Sequence, residues 1–214
     1  MTRGAVFFDV DGTLVPRTSS GRHLAGFLGH ADINEQVEAG YGDGSLTSAE
    51  CAVLDARGWA GRTPGQVDGF LATLPLLDGI AETVRWCRAH DLVPVLATLA
   101  WDAVGAHLCG RFDFDRASGP SLEVIDGCYS GAVATQFDEM DKRAFALGVA
   151  ASLGVDPARC AAVGDGRSDV PLFGAVGYAI ALNGTPAARA AAHVSIEATD
   201  LRAVIPYLAS LCSP

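Results

Sequence analysis

Long hydrophobic runs, a basic stripe and closely spaced cysteines are all missing from this chain of 214 residues. Its most apolar segment, "LVPVLATLAW" at 92–101, is about half the length that spans a bilayer, so no membrane partner is expected. Lys and Arg number 15 against 25 Asp and Glu, and the formal net charge is −10. A nucleic-acid binder would show a basic face, so that class is set aside. Charge runs are short and mixed, as on an ordinary solvated surface. Six cysteines stand at 51, 87, 109, 128, 160 and 212. No pair has C-x-x-C spacing, which argues against a zinc site. A chain of this size needs no disulfide staples, and Met1-Thr2-Arg3-Gly4 opens no apolar signal segment. Reduced thiols in a cytoplasmic protein are expected. Internal repeats and low-complexity linkers are also missing.

What is present is a hydrophobic content of 50%, enough for one core or one core with a small accessory domain. Short apolar runs at 5–8, 92–97 and 160–163 read as buried parallel strands, with 178–182 and 193–196 as further candidates. Helical segments lie between them. Asp78 is placed to cap a helix bearing Ile80, Val84 and Cys87. "DKRAFALGVAASLG" reads as a helix stopped by Gly154, and Thr185-Pro186 as a cap followed by proline. The alternation predicts an α/β fold, a doubly wound (Rossmann-like), mostly parallel sheet. Residues 16–76 break the alternation and read as helical throughout, with capping boxes at Thr47/Glu50 and Thr63/Gln66. They predict a small helical cap (16–76) inserted after the first strand of a core formed by 1–15 and 77–214. "VIDGCYSGAV" at 124–133 reads as a small hairpin.

Four elements carry chemistry. Asp9-Val10-Asp11-Gly12-Thr13 closes the first strand. Acids at i and i+2 share a face, and two carboxylates so close need a proton or a cation such as Mg²⁺. The competing reading is an acidic turn. "VGDGRSDVPLF" repeats the theme with Asp165 and Asp169 among glycines. Thr98 ends another strand, where a hydroxyl reaches a phosphoryl oxygen or merely packs. Lys142, at a helix N-terminus, opposes the helix dipole, so it has either a special partner or only solvent.

In order, D-x-D-x-T, Thr98, Lys142 and G-D-G-x-x-D resemble the motifs of the haloacid dehalogenase-like superfamily, within it the phosphoserine phosphatase-like group. The resemblance spans nearly the whole chain. It implies a phosphomonoester hydrolase acting on a small phosphorylated metabolite. Asp9 would be the nucleophile, forming an aspartyl-phosphate, and Asp11 the acid–base partner. Thr98 and Lys142 would bind phosphoryl oxygens. Mg²⁺ would be held by the Asp9 carboxylate, the Asp11 backbone carbonyl and Asp165, with Asp169 supporting them.

The match departs from the group in three places, one of them Ser168, which stands in the fourth motif where the group often has Asn. Ser-Gly-Gly is replaced by Thr98-Leu99-Ala100, so Leu99 reshapes the approach to phosphate. The glutamate that holds the serine amine falls at Thr18, no acid occurs from 12 to 31, and the carboxylate-binding arginine falls near Val53. Thr18, Arg22 and Leu99 are the candidate substrate contacts, and a substrate other than, or broader than, phosphoserine is expected. Phosphoserine hydrolysis itself, phosphotransfer and a non-catalytic binding module remain alternatives, and a homodimer is left open.

Overall fold

The computed structural model describes residues 2–212, apart from the side chain of Cys212. The first strand, β1 (Gly4–Phe8), is buried along its whole length. Four helices follow: α1 (Ser20–Leu28), α2 (Ala31–Asp43), α3 (Ser48–Ala56) and α4 (Pro64–Leu71). Then come α5 (Ile80–Ala89), β2 (Leu92–Leu96), α6 (Asp102–Phe112) and the strands β3 (Ser121–Ile125) and β4 (Cys128–Thr135). The chain continues through α7 (Glu139–Ser152), β5 (Ala161–Gly164), α8 (Val170–Phe173) and β6 (Tyr178–Leu182). It ends with α9 (Pro186–Ala191), β7 (Val194–Ile196) and α10 (Ile205–Leu208).

Five strands form one sheet in the order β2-β1-β5-β6-β7, parallel throughout. Successive residues of a strand point to opposite faces, and the core divides accordingly. Val6, Phe8, Leu96, Val163 and Ile180 pack on one face; Ala5, Phe7, Val95, Ala162 and Ala179 pack on the other. Burial on both faces accounts for continuous apolar runs in place of alternation. Leu24, Ala56, Trp59 and Leu71 belong to the first of these clusters, so the helices after β1 pack into a core continuous with the sheet.

Both expected capping boxes form, at Thr47/Glu50 and Thr63/Gln66. Gly154 lies left-handed after α7, and Thr185 caps α9. Two readings are corrected. Helix α5 is capped by Gly79 in the left-handed conformation, not by Asp78; a Cβ at 79 would meet the Asp200 carboxylate. The Asp78 carbonyl instead accepts from the Leu201 amide. Helix α7 starts at Glu139, with Asp138 as its cap, so Lys142 lies beyond the first exposed amides. The hairpin turns at Asp126-Gly127, both with positive φ, the geometry of a tight two-residue connection.

Candidate active site

Chain order reverses between β1 and β5, with β2 on one side of β1 and β6 and β7 beyond β5. In open α/β sheets the crevice outside the strand carboxyl ends at such a point receives ligands. The two acidic loops meet there. The Asp9 amide continues the sheet pattern by donating to the Val163 carbonyl at 2.9 Å. Gly12 turns the chain with φ 83°, and a Cβ there would fall 2.2 Å from the Asp165 carboxylate. Thr13 donates to Asp165 at 3.2 Å.

Lys142 is fully buried, and its Nζ lies 2.8 Å from Asp9 Oδ1 and 2.7 Å from Asp169 Oδ1. This settles the choice between a special partner and solvent. The second oxygen of Asp169 accepts from the Asp165 and Gly166 amides, each at 3.0 Å. Asp169 thus ties the lysine to the loop that presents Asp165. Asp11 is held apart: its carboxylate accepts the Ser20 amide at 2.6 Å and the Ser20 hydroxyl at 3.0 Å.

Burial dominates the electrostatics. It raises Asp9 well above the usual carboxylate range, against the pull of Lys142. It raises Asp165 to about 7, with Asp169 adding repulsion. It raises Asp11 to about 6, against the two Ser20 bonds. Burial alone would lower Lys142, but Asp169 and Asp9 outweigh it and raise it. Four acids share one ammonium, so the loops carry excess negative charge. Asp9, Asp165 and Asp169 bring carboxylate oxygens within 4.8 Å of one another. Hard oxygen donors with unbalanced charge fit a divalent cation. Asp169 already uses both oxygens, which leaves Asp9 and Asp165 as the side chains best able to hold one. The Asp11 carboxylate stands outside that group.

A cavity of about 310 Å³ opens above these loops. Asp9, Asp11, Asp165, Thr98 and Leu99 line it. Thr98 Oγ1 accepts from the Ala100 amide at 3.0 Å, leaving its own proton to donate. Thr18 and Arg22 are not among the lining residues; Ser19 and Ser20 take that place. Arg22 instead pairs with Glu38 at 2.9 Å, and His23 is turned to the Phe70 carbonyl. Val53 is an exposed residue of α3.

Several lining groups were not read from the sequence. Glu38 and Asp55 bring two more acids. Buried Asp55 accepts from Trp101 Nε1 at 2.7 Å, His30 Nε2 at 3.0 Å, Trp59 Nε1 at 3.3 Å and Asn34 Nδ2 at 3.4 Å. Burial raises its carboxyl, and these donors outweigh burial to leave it lowered. Ser118 braces Thr98 by accepting its amide and donating to its carbonyl, both at 2.9 Å. At the mouth, Glu139 of α7 accepts from Tyr41 at 2.8 Å and Ser48 at 3.1 Å. Arg167 lies 4.1 Å from the Tyr41 ring centroid and 3.5 Å from Glu139. Asp55 and Trp59 are four apart, but no sequence spacing links the set as a whole, and only Glu139, an acid in α7's first turn, was in a readable position.

An acid-rich pocket at the switch point of a parallel sheet, lined in part by helices that follow β1, defines the class of this molecule. The chain belongs to the haloacid dehalogenase-like hydrolase family, whose model matches residues 6–174. It is 28% identical over 208 residues to the phosphoserine phosphatase SerB2 of Mycobacterium tuberculosis, covering 95% of this chain and 50% of that protein. It is 26% identical over 201 residues to a phosphoserine phosphatase of Streptomyces coelicolor, covering 94% and 49%. The chain thus spans about half the length of these curated relatives. Among solved structures, a phospho-aspartyl intermediate analogue of phosphoserine phosphatase superimposes with a TM-score of 0.86 at 22% identity, over 97% of this chain and 100% of that one. A substrate-bound phosphoserine phosphatase complex gives 0.86 at 21%, over 97% and 99%. At such identities the superpositions speak for the fold.

Proposed function

We propose that this chain is a Mg²⁺-dependent phosphatase that hydrolyses a small phosphomonoester through an aspartyl-phosphate on Asp9. The observation that carries the reading is the buried contact of Lys142 with Asp169 and with Asp9, whose side chain lines the cavity. Two of the three ammonium N–H groups hold carboxylates, and the third is free for a phosphoryl oxygen. The Thr98 hydroxyl supplies a second donor. The Asp9 carboxylate attacks phosphorus as the ester bond breaks. Asp11, raised to about 6, suits proton transfer in both directions near neutrality. It protonates the leaving oxygen, then takes a proton from the water that releases phosphate. Bound Mg²⁺ would neutralise charge between Asp9, Asp165 and the phosphoryl group.

In this reading residues 16–76 form the cap, and 1–15 with 77–214 carry the chemistry. A cytoplasmic setting is supported by the buried or half-buried thiols of Cys51, Cys109, Cys128 and Cys160; among the described residues no helix is long and apolar enough to cross a membrane. Phosphoserine hydrolysis proper is a second reading, favoured by the names of the relatives.

The test is phosphate release from a panel of amino-acid, sugar, nucleotide, hydroxy-acid and neutral alkyl phosphates. Release that stops with chelator, and falls at least about 10³-fold in a folded Asp9→Asn variant, supports the assignment. Retained turnover in that variant refutes Asp9 as nucleophile.

A further inference from the structure

Beyond the phosphate end, the charged groups facing the cavity already have partners. Glu38 takes Arg22 and the Ser19 hydroxyl. Asp55 takes two indoles, His30 and Asn34. Arg167 is engaged by the Tyr41 ring and Glu139, and the Ser48 hydroxyl also points to Glu139.

Most of the remaining wall is apolar, interrupted by the uncharged polar side chains of Asn34, Tyr41, Ser48 and Ser168. Val37 and Ala52 come from the inserted helices, Leu99, Ala100 and Trp101 from the loop after β2, and Phe137 from the segment before α7. Four of these six are buried. A zwitterionic leaving group placed against this wall would leave an ammonium and a carboxylate without counter-charges in a small cavity, which is costly. A neutral hydrocarbon group needs no partner and gains by losing water.

We infer that the site takes phosphomonoesters of neutral, largely apolar alcohols in preference to amino-acid phosphates. This rests on the phosphatase reading above. It assigns the choice to the paired state of Glu38, Asp55 and Arg167 together with the wall facing them.

Benzyl phosphate and phosphoserine both release unactivated alcohols, so their comparison reads the pocket. Expected is a kcat/KM at least about 10-fold higher for benzyl phosphate. Calorimetry with benzylphosphonate and with 2-amino-4-phosphonobutyrate, in Mg²⁺, should give the same order without turnover. Val37→Ala should weaken benzylphosphonate about 5-fold and the amino acid analogue less. Parity, or preference for the serine compounds in both assays, overturns the inference and leaves the phosphatase reading standing. No release from any monoester, with neither phosphonate bound, overturns both.

Discussion

Replacing Lys142 by Met keeps the length of a buried side chain and removes its charge. In the native protein Nζ lies within 2.8 Å of two carboxylates and has no exposed surface. The variant strands both acids. Breaking a buried pair by deleting one partner costs about 3–5 kcal/mol. Protonation limits that loss. Holding a proton on a carboxyl whose ordinary value is 3.8 costs about 4 kcal/mol at pH 7 and about 1.6 kcal/mol at pH 5. A carboxyl raised in the folded state is penalised as pH climbs from its unfolded value toward its folded one. The loss must therefore grow with pH. Domains of this kind hold about 5–15 kcal/mol in all, so the change is large. Urea unfolding in chelator at pH 5 and pH 7.5 reads it directly. Mg²⁺ should then restore more stability to the variant than to the native chain, since it replaces the missing cation. A loss under about 1 kcal/mol at pH 7.5, or a greater loss at pH 5, refutes the reasoning.

Gly12→Ala should strain a left-handed residue by about 1–2 kcal/mol and push a methyl into the Asp165 carboxylate. A thermal scan should show a lower Tm and no Mg²⁺-dependent rise; a normal rise contradicts the crowding. Trp101→Phe removes the 2.7 Å donor to buried Asp55 and should cost about 1.5–3 kcal/mol in denaturant unfolding; native stability would mean that Asp55 does not depend on it. Thr18→Glu should leave phosphoserine turnover unchanged, because Thr18 does not line the cavity; a clear gain would place that side chain with the substrate.

The parallel sheet was legible because strands buried on both faces must be apolar without interruption, and "AVFF" and "YAIAL" are. The two acidic loops were legible because acids and glycines at strand ends are unusual for a core. Lys142 was readable only by its order among the motifs, since a buried lysine and an exposed one look alike in a sequence. Asp55 could not be found: its four donors come from the residue before α2, from α2 itself, from the turn after α3 and from the loop before α6. The left-handed cap at Gly79 lost to a conventional reading of Asp78, because aspartate caps locally while the glycine is required by Asp200, far along the chain.

The polar contacts between the two acidic loops do not set their alignment alone. It rests also on three rungs of hydrocarbon, Val6 opposite Ala161, Phe7 opposite Ala162 and Phe8 opposite Val163. A slip of one rung would carry Asp9 about 3.3 Å past its neighbour and turn its carboxylate to the other face. The reacting centre therefore works to a tolerance machined by methyl groups. Bulk added at Ala161 or Ala162, both buried, is the way to detune it without touching a single polar atom.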